Sequence, residues 1–167
     1  MVRSVRPGLI TGSRVRFIVT LAAVAAGVAV LGAPRVRPID ARHTPVAGLP
    51  WADVMVGETR LGPMRDSSVL LYVLPSCSHC DSAVRVFARA LPQADFEGLV
   101  VAGSGRDEAE LYRRRFGLVA IGIDSSRSFG RRAGVRLVPT LISLKDSVAV
   151  VTPVPSPQWL ERKLATR

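Results

Sequence analysis

Hydrophobic residues follow three different rhythms along this chain, and each rhythm predicts a different kind of element. The first is unbroken: Phe17 to Ala33 reads FIVTLAAVAAGVAVLGA, without a charge and without a polar stripe. A helix packed on a soluble core would show such a stripe. The run sits at the short end of the roughly 17–25 residues that cross a bilayer and is longer than a usual signal-peptide core. The second rhythm is a short apolar block, Ser68 to Leu74 (SVLLYVL), as expected of a central strand covered on both faces. The third is helical: Val84, Phe87, Ala88 and Leu91 fall at i, i+3, i+4 and i+7, Arg85 and Arg89 face away, and Pro92 ends the pattern.

The rest of the chain can be read in the same way. Leu99 to Ala102 predicts a second short strand. Ser104 precedes a helix over Arg106 to Phe116, with Asp107 in its first turn and Arg113 to Arg115 in its last. That order complements the helix dipole, and Gly117 supplies the stop. Val119 to Ile123 reads as a third short strand or an extended connection, and Asp124 to Ala133 as a short helix closed by Gly134. Val135 to Leu144 (VRLVPTLISL) looks like a strand with Pro139 in its middle, a place where proline would remove a ladder donor. Lys145-Asp146 turns the chain into a partner strand over Val148 to Val151, giving an antiparallel hairpin. Ser156 as N-cap and Pro157 at the first helical position open a last helix, with Trp159, Leu160 and Leu164 inward. Trp51 to Arg65, punctuated by Gly57 and Gly62-Pro63, suggests a short hairpin or edge strand. This succession predicts an α/β fold with helices around a central mixed sheet.

Charge and proline set the organisation. The 167 residues suit one compact domain with appendages. Residues 1–16 form a basic N-terminus, 17–33 a transmembrane signal-anchor, 34–50 a proline-rich spacer, and 51–167 the folded domain. Cleavage after Ala33 would put Pro34 first and Leu31 where a peptidase needs a small residue, so the anchor is expected to be retained. Arg3, Arg6, Arg14 and Arg16 precede the span, against Arg35, Arg37 and Arg42 after it. That bias leaves the N-terminus in the cytoplasm and the domain outside, as a single-pass protein of the cell membrane. The net charge of +10 raises the question of nucleic acid. However, the arginine groups 113–115 and 131–132 fall on separate helices, and aromatic residues make up only 5% of the chain, too few to offer stacking platforms. No nucleic-acid partner is expected; a basic surface drawn to anionic headgroups is the alternative. His43, alone in the spacer, reads as solvent-exposed polarity.

The chemistry lies at the handover from the apolar strand to the first helix. Cys77 and Cys80 are the only cysteines, and they form a C-x-x-C there, the pattern of a thiol–disulfide redox site. Cys77 at the helix start meets free N–H groups that favour a thiolate nucleophile. Cys80, one turn further in, is placed to resolve a mixed disulfide. On the outer side of a membrane such a pair can form and keep a disulfide. Covalent haem attachment needs C-x-x-C-H, and residue 81 is Asp. A zinc site needs four ligands, and Cys77, His79, Cys80 and the distant His43 do not make one. No metal and no cofactor is expected beyond the redox-active disulfide itself. Two other readings stay open: a copper-delivery protein, for which the cysteines are half a site, and a binding or scaffold domain with an inert disulfide. The proton acceptor for Cys80 is also open among Glu58, Asp66 and Asp81.

The run Leu70-Leu71-Tyr72-Val73 before Cys77-Ser78-His79-Cys80, the strand-end Asp124, and Gly134-Val135-Arg136-Leu137-Val138-Pro139-Thr140-Leu141 together resemble the thioredoxin superfamily. Within it the chain is most similar to the membrane-anchored extracytoplasmic branch, the TlpA/ResA-like thiol–disulfide oxidoreductases. The resemblance covers about Gly48 to Leu164. It implies a thioredoxin-like fold, a cis-proline at Pro139 opposite the cysteines, and a Val138 backbone presented to an extended substrate. It implies exchange with thiols or disulfides of client proteins, as in cytochrome c biogenesis, and a membrane electron-transfer partner. The C-x-H-C form resembles that of DsbA-like proteins, which implies that His79 stabilises the Cys77 thiolate and makes the couple more oxidising. Two positions depart from the family: Ser76 replaces the tryptophan usual before the first cysteine, and the hairpin turn Lys145-Asp146-Ser147 lacks a glycine.

Overall fold

A computed structural model describes residues 42–167 of the chain. The basic N-terminus, the apolar run over 17–33 and most of the proline-rich stretch lie outside the described residues. Among the described residues, no helix is long and apolar enough to cross a membrane.

The apolar block becomes β4, Val69–Val73, with all five residues buried. It lies inside an eight-stranded sheet because both of its edges are used. On one side it pairs in parallel with β5, Gly98–Ala102, and on the other antiparallel with β7, Thr140–Lys145. Beyond β5 come β6, Gly122–Ile123, then the small hairpin of β2, Met55–Val56, and β3, Thr59–Arg60. Beyond β7 come β8, Val148–Pro153, and β1, Arg42–Pro45.

Alternation along β4 divides the core in two. Val69, Leu71 and Val73 point to one face, where Val84 and Phe87 of α1 (Ser78–Ala90), Ala109 and Tyr112 of α2 (Arg106–Phe116), and Leu160 and Leu164 of α4 (Pro157–Ala165) cover them. Leu70 and Tyr72 point to the other, under Phe129 and Ala133 of α3 (Ser128–Ala133) and Trp51. That packing is close: a β-carbon at Gly130 would lie 2.6 Å from Cζ of Tyr72.

Several expectations hold in detail. The second helix spans Arg106–Phe116 and closes at Gly117, whose left-handed φ of 62° lets its N–H reach the last carbonyls. Ser156 caps α4 by accepting from the Trp159 N–H at 3.2 Å, with Pro157 at the first turn. Trp159 itself is half-buried rather than fully inward.

Other expectations need correction. The spacer expected to run to Pro50 joins the fold at Arg42, because β1 takes the open edge of β8 through backbone pairing. His43 therefore sits in a strand, its side chain exposed. The strand expected from Val135 starts only at Thr140, after the proline. The helix expected from Asp124 starts at Ser128, because Arg127 turns the chain through a left-handed φ of 55°.

Candidate redox site

The end of β4 and the start of β7 are neighbours, Tyr72 lying opposite Thr140. Two chain segments therefore leave the sheet at the same end. One runs through Leu74 to Ser76 into the cysteines. The other arrives through Val138-Pro139, whose peptide bond is cis. Cys77 and Val138 are both half-buried against the same core layer.

Cys77 is the N-cap of α1. Its N–H donates to Leu74 O at 3.0 Å, and its sulfur accepts the N–H of Cys80 at 3.3 Å. As an N-cap acceptor the sulfur takes the place at the helix end that a serine hydroxyl would take. Cys80 is fully buried. Burial first, and then hydrogen bonding to Cys77, pushes its thiol above the ordinary thiol range. Both cysteines are free thiols. The two sulfurs thus occupy unlike environments, one at a helix terminus and half-open, the other enclosed and held protonated. His79 lies between them, exposed on the first turn.

Of the three acids near the cysteines in sequence, one is near them in space. Glu58 is at the surface, 3.9 Å from Arg106. Asp66 accepts the N–H of Ser147 at the hairpin turn. Asp81 follows Cys80 directly, and its Oδ2 is 2.7 Å from Arg115 Nη2 on α2. Tyr112, three residues before Arg115 and so on the same helix face, is buried beside them. Sequence reasoning assigned nothing to Tyr112, and read Arg115 only as a charge complementing the helix dipole. Helical spacing puts both on one face; which face meets α1 is a tertiary fact.

Next to the cis peptide lies a cavity of about 210 Å³, lined in part by Leu74, Arg127, Arg131, Arg136, Leu137 and Val138. Leu137 is 65% exposed at its rim. Val138 thus packs against the core and also lines a groove whose walls carry three arginines beside apolar residues.

No family model and no curated protein matches the chain. Solved structures do. One is a secreted Mycobacterium tuberculosis disulfide oxidoreductase homologous to E. coli DsbE, at 15% identity, covering 60% of this chain and 81% of that one with a TM-score of 0.52. Another is M. tuberculosis dsbF in its mixed oxidized and reduced forms, at 19% identity, covering 59% and 78%, also with a TM-score of 0.52. The fold is thioredoxin-like. In this thioredoxin-like fold the cysteine pair stands at the head of α1 and the cis peptide stands just before β7.

Proposed function

We propose that the chain is a thiol–disulfide oxidoreductase that exchanges disulfides with client proteins on the outer side of a cell membrane. The observation that carries this reading is the asymmetry of the cysteine pair: a half-open Cys77 at a helix N-cap, backed by an enclosed, protonated Cys80. The similarity in fold to disulfide oxidoreductases supports it. The anchor at residues 17–33, and with it membership of the TlpA/ResA-like branch, is part of the same proposal and rests on the sequence.

In the reducing direction the Cys77 thiolate attacks a client disulfide. A Cys77–client S–S bond forms, and the other client sulfur leaves as a thiolate. Cys80 then attacks Cys77, the mixed bond breaks, and the second client sulfur leaves. The client gains two electrons and the protein is left with a Cys77–Cys80 disulfide, which a membrane electron-transfer partner reduces. The oxidising direction runs the same steps backwards. In either direction, Val138 lends its backbone to an extended client segment, and Pro139, having no N–H, does not compete for it. His79, exposed on the first turn between the two cysteines, favours the Cys77 thiolate and makes the couple a stronger oxidant of client thiols.

The test is a disulfide-reduction assay with insulin as substrate. Wild type is active, Cys77→Ser is inactive, and Cys80→Ser accumulates a client adduct on Cys77. An inactive wild type, or a Cys77→Ser variant as active as wild type, would return the domain to a scaffold role.

A further inference from the structure

The groove beside the cis peptide carries charge that the exchange steps leave unused. Arg127 and Arg131 line it from the start of α3, and Arg136 from the loop that leads into Val138-Pro139. All three are exposed. Carbonyl oxygens hold two of them: Arg127 Nε donates to Gly103 O at 2.9 Å, and Arg131 Nη1 to Ser126 O at 2.7 Å. A carbonyl fixes a guanidinium without neutralising it, and the remaining N–H groups stay free for a carboxylate. Among the described residues none of the three belongs to an ion pair; the arginines that do are Arg106, Arg113, Arg114 and Arg115. Two acids bond to α3. Asp53 accepts the Ser128 hydroxyl, and Asp124, fully buried, accepts the N–H groups of Phe129 and Gly130. One buried negative charge therefore lies beneath three exposed positive ones. Burial and the bond to Asp124 raise the Tyr72 phenol, and Arg127 and Arg131 pull it the other way, so both cations are felt at the groove wall. Arg127 also keeps a left-handed φ of 55°, where a β-carbon is costly and glycine is not. Backbone strain of this kind gathers at functional sites.

Val138 lines the same groove, so a client held by its backbone lies next to these cations. Resting on the exchange reading above, we propose that Arg127, Arg131 and Arg136 select clients that carry aspartate or glutamate beside the reacting cysteine. An extended client segment turns every second side chain to the same side, so one strand can offer its acids to the groove while its backbone follows Val138. The guanidinium fork matches a carboxylate with two parallel hydrogen bonds. Each exposed pair multiplies binding by a factor of about two to five. Charge of one sign along a cleft also raises the encounter rate with an anionic partner. A client with lysine in those places meets like charge and is turned away.

The experiment uses the full chain, reduced and in detergent, with three synthetic peptides each closed by one disulfide. The peptides are identical except that Asp, Ser or Lys flanks their cysteines. The rate at which the chain reduces each peptide is divided by the rate with dithiothreitol, which removes the intrinsic reactivity of each disulfide. At low salt the Asp peptide is expected to react about tenfold faster than the Ser peptide, and the Lys peptide more slowly than either. The spread should close at about 1 M salt, where charges are screened beyond about 3 Å. Arg136→Glu should cut the Asp-to-Ser ratio by about fivefold and Arg131→Gln by about twofold. Arg162→Glu makes the same change of charge at an exposed position on α4. It should keep the wild-type ratio, which separates the groove from the overall charge of +10. Should Arg136→Glu fail to fold, Arg131→Gln decides. A wild type that treats the Asp and Ser peptides alike, a preference that survives in the deciding variant, or one that Arg162→Glu removes as well overturns this assignment alone. A wild type that reduces none of the peptides overturns the exchange reading and this assignment together.

Discussion

The hydroxyl of Tyr72 donates to Asp124 Oδ2 at 2.9 Å, between two side chains that are at most 3% exposed. The same oxygen accepts the N–H of Gly130 at 2.9 Å, and Oδ1 accepts that of Phe129 at 3.4 Å. A buried carboxylate is tolerable when donors surround it in this way. Asp124→Asn turns one acceptor into a donor facing amide N–H groups, and is expected to cost about 3 kcal/mol. Tyr72→Phe, which removes a single donor, is expected to cost about 1–2 kcal/mol. Urea unfolding of both variants and of the double variant checks this: the double variant should lose less than the sum, since the residues share one bond. A loss below about 0.5 kcal/mol for Asp124→Asn, the size of an ordinary surface change, would show that the carboxylate is not needed there.

Asp124 also shows where the sequence was legible and where it was not. Elements that carry their own local signals could be read directly. Gly117 stops α2 and Ser156-Pro157 starts α4 where expected, because caps depend on neighbours in sequence. The α3 start was misread, since Asp124 meets the amides of Phe129 and Gly130 from outside the helix, across the left-handed Arg127. β1 was missed because edge pairing with β8 uses backbone groups that leave no side-chain period in a proline-rich stretch. Cys77, Cys80 and Pro139 stood out as residue types with few alternative uses. The ion pair of Asp81 with Arg115 did not, because it exists only once α1 and α2 are packed.

Stability is expected to fall at alkaline pH. Cys80, Tyr72 and Tyr112 have ordinary values of 9.0, 10.0 and 10.0, and each is raised, in every case by burial first. The folded state therefore holds protons that the unfolded chain would release. The contribution of these groups is complete below the unfolded values and is lost as pH rises above them. Unfolding midpoints should hold steady to about pH 8.5 and then decline, and Tyr72→Phe and Tyr112→Phe should each make the decline shallower above about pH 10. At the acid end, Arg113 and Arg114 hold Glu110 down from 4.5 to about 2; its support fades as pH falls through that window and is weakened by salt, being at the surface. A midpoint flat through about pH 11 would contradict the alkaline argument.

His79 offers a test of direction. It is exposed on the first turn, immediately before the buried Cys80. A cationic or hydrogen-bonding imidazole beside the Cys77 sulfur stabilises the thiolate and hence the reduced form. His79→Ala should then lower the reduction potential by about 30 mV, a tenfold change in the two-electron equilibrium, and make the protein a weaker oxidant. The wild-type potential is expected nearer the roughly −120 mV of a strong oxidant than the roughly −270 mV of a thioredoxin. Equilibration against glutathione buffers measures both. An unchanged potential in His79→Ala would remove the histidine from the site, and a wild-type value near the lower figure would make the protein a reductant.

The hairpin between β7 and β8 departs from the usual composition in a way that can be improved. Its two turn residues, Asp146 and Ser147, have φ of 51° and 62°, the doubly left-handed geometry that two-residue hairpins prefer and that asparagine and glycine fit best. Asp tolerates that region better than most residues, whereas Ser147 meets the full steric cost of its β-carbon, about 1–2 kcal/mol. Its N–H is held by Asp66 Oδ1 at 3.2 Å, a bond that glycine would keep. Its side chain is exposed, so no packing is lost on removal. Ser147→Gly should therefore raise stability by about 1 kcal/mol after the entropy cost of the freer unfolded chain, or roughly 2–4 °C in Tm. Redox exchange should not change, since the turn lies at the far end of β7 from Pro139. A lower Tm in Ser147→Gly would mean that the serine hydroxyl, and not the backbone geometry, sets the stability of this turn.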